Sequence, residues 1–416
     1  MIKSKKQRIV NGKALIVTVD ISKDKHFGYW RCPDGTDIKP FPFLNNGSGF
    51  SDFWERISRA KEINHLEEIV FGYESTGPYA EALVHFMKAR GVRLVQVNPM
   101  HTKRVKELQG NSPNKTDQKD PKIIADIIEL GHVLTVVLPE GPAAELRRLT
   151  HARERSTGRH TALSNQLQAL IAIIFPEFLQ IIKNVRTVTA KYLLKNYPTP
   201  QSLVAYGFDN LAALIKKLSR KRLREDCAKA LYEAAKESIG VVEGQASIIL
   251  EIHAILAALE ASEGFTEELE KEMSHHLKQI PYSHCLLSIK GIGEVTAAGL
   301  IGEVGDFRKF TTLGEIMKLA GLDLFEVSSG KHQGTRRISK RGRPLMRKLL
   351  YYAAMNMVRR GCIMERQYQQ YLDRGMLKTK ALIAIARKLL RIIFAIVRDN
   401  NVFDYSRSTF QLKEAA

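Results

Sequence analysis

Two aspartates three residues apart, Asp117 and Asp120, stand in the stretch NKTDQKDPKIIADII at residues 114–128. Thr116 is suited to cap a helix there, and Ile123, Ile124, Ile127 and Ile128 follow at helical spacing. At that spacing both carboxylates share one helix face, one turn apart. They repel each other, and a hard divalent cation between them relieves the repulsion. An acidic first turn matched to the helix dipole is the plainer alternative. Further carboxylates at strand ends favour the cation. Asp20 closes the run ALIVTVD at 14–20, and Glu74 follows the apolar run at 68–73. Each alone is an ordinary strand-end residue. The order strand then Asp, strand then Glu, helix with Asp-x-x-Asp is harder to reach by accident.

Those side chains need elements to hold them. Residues 14–20 read as a buried strand, with 27–31 and 41–44 as further strands and 50–63 as a helix. Residues 68–73 form another strand. A turn follows, then a helix opened by Pro78 and closed at Gly91, then a strand at 93–97 ended by Asn98-Pro99. Strands alternating with helices predict an α/β domain over residues 1–142. In open sheets of this kind ligands gather beyond the carboxyl ends of strands, where Asp20 and Glu74 stand.

Composition narrows the partners. The chain has 416 residues, enough for two or three cores, and 44% of them are hydrophobic, which excludes a disordered chain. A formal charge of +20 calls for a polyanion, either nucleic acid or a membrane surface. The longest apolar segment, 381–397, is broken by Arg387, Lys388 and Arg391, so no membrane span is expected. The basic N-terminus lacks a following signal-peptide apolar region. Cys32, Cys227, Cys285 and Cys362 show no CxxC spacing, which argues against zinc and disulfides and fits a reducing cytoplasm. Nucleic acid is therefore the expected partner.

Residues 143–175 read as one long helix with Leu146, Leu149, Leu163, Leu167 and Leu170 as a partial stripe and Arg147, Arg148, Arg153, Arg155 and Arg159 in its first half. It is either an amphipathic helix with a solvated basic face or a coiled-coil arm that dimerises and lays arginines along a phosphate backbone. Residues up to 285 read as mostly helical, with a basic run at 216–224 and no assignable chemistry. The segment SIKGIGEVTAAGL at 288–300 has a helix-hairpin-helix signature: Gly291 and Gly293 permit a close turn, the next helix offers amides to a phosphate, and Lys290 adds charge. A tight turn between helices is the plainer alternative. Residues 319–347 lose apolar periodicity and read as a loop or a loose hairpin. Ser329-Gly330 lies there, followed by Lys331, Arg336, Arg337, Lys340, Arg341 and Arg343. An ordinary basic loop accounts for this, and so does a serine set against a phosphate held by cations. Residues 379–397 read as a core helix. The expected regions are 1–142, 143–285 and 286–416.

Taken together, VDISK (Asp20), GYESTGPY (Glu74), VNP (97–99) and KTDQKD (Asp117, Asp120) resemble the RuvC/RNase H-like nuclease fold. More closely they resemble the DEDD-type insertion-sequence transposases, the family of the Piv invertase and the bridge-RNA-guided recombinases. That family usually has alanine after the last aspartate. This chain has Pro121, which a first helical turn tolerates. The AGL, SG and RISKRG segments within 320–342 resemble the second region that defines the family. The resemblance implies a RuvC-like domain, a helical coiled-coil region and a mostly α C-terminal domain. It implies that Asp20, Glu74, Asp117 and Asp120 hold Mg²⁺, as two ions, and that Ser329 is the nucleophile, with neighbouring Ser328 a one-residue ambiguity. It further implies donor and target DNA, a structured bridge RNA, and a homo-oligomer, dimer or tetramer, acting in the cytoplasm at the nucleoid.

Two other functions fit some of these residues. A RuvC-like hydrolytic nuclease of junction-resolvase type would use the same carboxylates with water as attacker. A non-catalytic binding protein would use the helix-hairpin-helix alone, and the four filled acidic positions argue against it.

Overall fold

The computed structural model describes residues 12–74, 77–109, 120–220, 225–326, 334 and 336–405. Asp117, Ser328, Ser329 and Lys331 lie outside these. The chain divides into two compact units, Met1–Val137 and Leu138–Ala416.

The first unit is built on one sheet. Its elements run β1 (Ala14–Asp20), β2 (Lys25–Arg31), β3 (Phe41–Leu44), α1 (Gly47–Ile63), β4 (Glu68–Glu74), α2 (Glu81–Lys88), β5 (Arg93–Val97), α3 (Pro99–Gln109), α4 (Asp120–Glu129) and β6 (Val133–Thr135). The strand order is β3-β2-β1-β4-β5-β6. β1, β4 and β5 are parallel, while β2, β3 and β6 run antiparallel to their neighbours. Residues 14–19 of β1 are all buried, as a central strand covered on both faces requires. Successive side chains alternate between those faces. Ala14 and Ile16, with Val70, Val95 and Val97, pack against Ile123, Ile124, Ile127 and Ile128 of α4. The expected α/β domain is present, and its strands match the predicted ones to within two residues at their starts. α3 and β6 were not foreseen.

Among its described residues the second unit is helical apart from one two-stranded hairpin. Its elements are α5 (Pro142–Ile174), α6 (Pro176–Ile181), α7 (Val188–Asn196), α8 (Pro200–Tyr206), α9 (Phe208–Leu218), α10 (Glu225–Lys236), α11 (Gln245–Lys278), α12 (Ser283–Leu287), α13 (Glu294–Val304), α14 (Leu313–Ala320), β7 (Leu324–Phe325), β8 (Arg337–Ile338), α15 (Pro344–Met357), α16 (Glu365–Asp373) and α17 (Lys378–Arg398). α5 and α11, of 33 and 34 residues, are antiparallel partners, as Arg153–Glu270 and His160–Glu263 pairing shows. At about 1.5 Å per residue each spans roughly 50 Å.

That length lets the pair serve two cores. Leu167, Ile171 and Ile174 of α5 pack with Ile252, Ile255, Leu256 and Leu259 of α11 over α6 to α10. At the other end Ala143 and Leu146 join Met273 and Leu277 in the core of α12 to α17. Between the cores lies a polar layer. Ser156 Oγ sits 2.8 Å from Thr266 Oγ1 and 3.2 Å from Ser262 Oγ, while Glu263 takes His160 at 3.0 Å and Lys191 at 2.5 Å. A polar layer inside an apolar pair disfavours sliding, because any shift leaves buried hydroxyls unpaired. All four cysteines are free thiols. Among the described residues no helix is long and apolar enough to cross a membrane.

Candidate functional site

In the first unit the parallel register runs from Ala14↔Glu68 to Val19↔Tyr73, so the strand ends carrying Asp20 and Glu74 finish in step. Both residues are partly exposed, at the rim of an otherwise buried sheet. Their side chains leave on the face that α4 covers, and two neighbours show it. Thr18, two residues before Asp20, donates its hydroxyl to the Pro121 carbonyl at 2.6 Å. Gly72, two residues before Glu74, would drive a Cβ to 2.2 Å from Ile128 Cδ1. Residues two apart on a strand share a face. Gly72 therefore lets α4 lie close, and Thr18 ties the first turn of α4 to β1.

Asp120 opens that first turn. Its carboxylate is paired with Lys106 of α3 at 2.6 Å, and its side chain is 18% exposed. The outer side of α4 is also fixed: Arg31 binds Asp126 at 2.7 Å and Glu129 at 3.1 Å, and Lys122 binds Asp37 at 3.2 Å. The Tyr29 hydroxyl donates to Asp37 at 2.6 Å. Burial and the Asp37 bond push that phenol far above its ordinary range.

The fold thus brings Asp20 and Glu74 to adjacent strand ends and sets Asp120 at the start of the helix on the same face. Asp117 lies outside the described residues. Among the described residues no three carboxylate, imidazole or thiol groups stand together as a ready cation site. The donor chemistry, carboxylate oxygens alone, is that of hard ions such as Mg²⁺. Lys106 occupies Asp120 as a cation of the protein's own. Sequence reasoning passed over Lys106, Thr18 and Gly72. Only the basic character of α3 (Lys103, Arg104, Lys106) hinted at the first.

In the second unit α12, the Gly291-Ile292-Gly293 turn and α13 follow one another along the chain. Gly291 has φ +111°. The turn amide of Lys290 donates to the Tyr405 hydroxyl at 2.6 Å, and that hydroxyl donates to the Ser288 carbonyl at 3.0 Å. The chain's own tail therefore takes this amide, while the exposed Lys290 side chain stays at the surface.

The basic segment is a hairpin with a firm root. β7 and β8 pair through Leu324↔Ile338 and Phe325↔Arg337, and Ser329 falls between them in sequence. Ser339 donates its hydroxyl to Asp323, the Lys340 amide donates to the Gly321 carbonyl at 3.0 Å, and Arg347 Nη1 donates to the Ala320 and Gly342 carbonyls at 3.0 Å. Arg336 pairs with Glu326 at 2.9 Å across the hairpin mouth. Lys340 and Arg341 are exposed.

Two of the candidate nucleic-acid arginines, Arg147 and Arg343, contact a buried acid. Glu303 of α13, 1% exposed, receives Arg147 at 3.2 Å and His151 at 2.8 Å, and Arg343 donates to its backbone carbonyl. Burial alone would raise the Glu303 carboxyl. The His151 hydrogen bond and the Arg147 and Arg343 charges outweigh burial and hold it below the usual carboxylate range. Arg148, the next residue on α5, is exposed. Gly302 makes the contact possible, since a Cβ there would sit 2.6 Å from the Arg147 backbone nitrogen.

Comparison with known proteins bears on both units. A family profile described as a transposase, of the DEDD insertion-element type, matches residues 17–176. A second, described as the transposase IS116/IS110/IS902 family, matches residues 283–369. The chain is similar to the insertion element IS110 uncharacterized 43.6 kDa protein of Streptomyces coelicolor, 23% identical over 93% of this chain and 94% of that one. It is also similar to the IS900 uncharacterized 42 kDa protein of Mycobacterium paratuberculosis, 26% identical over 85% and 89% of the two chains. The IS116 uncharacterized 44.8 kDa protein of Streptomyces clavuligerus is 24% identical over 93% and 95%. The first profile spans Asp20, Glu74, Asp117 and Asp120, and the second spans Ser329.

Proposed function

Because the chain belongs to the DEDD-type insertion-sequence transposases of the IS110/IS116 family, enzymes of DNA strand transfer, we propose that it cuts and rejoins DNA with a carboxylate set in one unit and a serine in the other. The carboxylates are Asp20, Glu74, Asp117 and Asp120, and the serine is Ser329. The supporting observation is that Asp20 and Glu74 end neighbouring parallel strands on the face where α4 brings Asp120. The strand order is in keeping with a RuvC-like sheet.

Divalent ions bound by these carboxylates would stabilise charge on the attacked phosphate and its leaving oxygen. The protein's own residues do the rest. The Ser329 hydroxyl loses its proton and its Oγ bonds to phosphorus. The bond from phosphorus to the leaving deoxyribose oxygen breaks, and that oxygen takes a proton. The product is a phosphoserine ester, so the energy of the broken phosphodiester is kept and the strand rejoins without ATP. Exposed Lys340 and Arg341 flank the hairpin and are suited to hold phosphate oxygens. The helix-hairpin-helix Lys290 side chain is suited to backbone contact that reads no sequence. A bridge RNA is the guide, and the enzyme acts as a homo-oligomer.

Strand cleavage by the full chain on DNA carrying the element's ends, with co-purified RNA retained, tests this. Asp20→Ala and Ser329→Ala are each expected to abolish cutting. If Ser329→Ala and Ser328→Ala both cut like the parent, water is the attacker and the hydrolytic-nuclease alternative replaces the serine.

A further inference from the structure

α17 packs as an amphipathic helix, burying Leu382, Ile385, Leu389, Ile393 and Val397. Its other side carries Lys380, Arg387 and Arg391 at spacings of seven and four, which align them along one stripe, with Lys388 beside it. Arg387 is unusual within that stripe. Its side chain is half-buried, and its Nε is shut off from water with no hydrogen-bond partner. Around it are Arg391, which opposes its charge, and Asp323 and Tyr371, which favour it. Asp323 already accepts the Ser339 hydroxyl at the root of the β7–β8 hairpin. Lys388 donates to Gln367 of α16 and is likewise opposed by Arg391. Burial, then the Arg391 charge, lowers the basicity of both groups.

Such an arrangement works against the fold's own stability. A buried donor without an acceptor costs free energy, and like charges four apart on a helix destabilise it. The sequence of residues 327–335 contains no acid. A site that carries this cost awaits an anion. The planar guanidinium fork matches phosphate oxygens, and desolvation strengthens that bond.

We propose that Arg387, Lys388 and Arg391 form a seat for one backbone phosphate of the bound nucleic acid, at the root of the β7–β8 hairpin. This rests on the strand-transfer reading, and it makes α17 a binding element as well as a packing one.

The full-length chain and its R387Q/R391Q variant would be titrated against a labelled duplex of arbitrary sequence and a single-stranded RNA over a range of salt. Each phosphate contact contributes about 0.9 to the slope of log affinity against log salt on duplex DNA, and about 0.7 on single strands. The double variant is expected to lose about one such step on at least one of the two ligands, with its Tm unchanged or raised. R387K is expected to keep most of the slope. A lowered Tm with an unchanged slope would assign these residues to packing and overturn the seat. If inorganic phosphate raises the parent's Tm and not the variant's while both slopes stay equal, the seat holds a free anion, and the backbone assignment fails. If the parent shows no salt-dependent binding, the strand-transfer reading fails with it.

Discussion

At the scale of single residues, the central fact is that Asp120 already has a counter-cation. Lys106 sits 2.6 Å from its carboxylate, so a divalent ion joining that carboxylate has an ammonium to displace. Lys106→Met is expected to tighten Mn²⁺ binding several-fold, measured by titration calorimetry or loss of the free-ion resonance. Weaker binding would mean that Lys106 assists the site, and unchanged binding that it does not compete for Asp120. Asp20→Ala is expected to remove cutting and weaken Mn²⁺ binding while the Tm stays within a few degrees, since the residue lies at the sheet rim. Glu303 makes a different prediction. Its folded carboxyl lies below the ordinary range, so its contribution to stability is full above the unfolded value, about 4.3. That contribution is lost as pH falls through the folded value. Glu303→Gln is expected to cost about 2–4 kcal/mol at pH 7, because the cations around a buried acid lose their partner. The gap between the two melting curves should close as the pH drops below about 4. A gap that stays constant to acid pH would show that Glu303 is not held as an ion.

At the scale of elements, two close approaches set the geometry. α4 lies on the sheet because Gly72 leaves room for Ile128 and Thr18 binds Pro121. Gly72→Ala is expected to cost about 1–3 kcal/mol and to reduce cleavage further than the lost stability explains, because α4 and Asp120 shift away from the strand ends. Circular dichroism melts beside cleavage rates would read both, and full activity in a destabilised variant would contradict the positioning role. α13 lies closest to the α5 backbone at Gly302, where a Cβ would meet backbone atoms that cannot rotate away.

Much of this was legible in the chain. The buried run at 14–20, the turn at Pro78 and the isoleucines at 123–128 gave strands and helix because local burial dictates their periodicity. Pro176 marked the end of α5 for the same kind of reason, since it opens a new helix. The pairing of Lys106 with Asp120, and of Arg147 with Glu303, was not legible. Both join residues that only folding brings together, 14 and 156 positions apart in sequence. The segment at 324–338 read as a loop or a loose hairpin, without its pairing, because two-residue strands are too short to show alternation.

For the whole molecule, the proposed mechanism asks that carboxylates from Met1–Val137 and a hydroxyl from Leu138–Ala416 act on the same phosphate. Whether that meeting occurs within one chain or between copies, the chemical trace is the same. The decisive measurement is to stop the full-length enzyme during strand cleavage in Mg²⁺, digest the DNA and protein, and identify by mass spectrometry the residue that retains a nucleotide. The account predicts a nucleotide on the peptide containing Ser329, attached to that serine, and none in Asp20→Ala. A nucleotide on another residue, or efficient cutting with none retained, would contradict it.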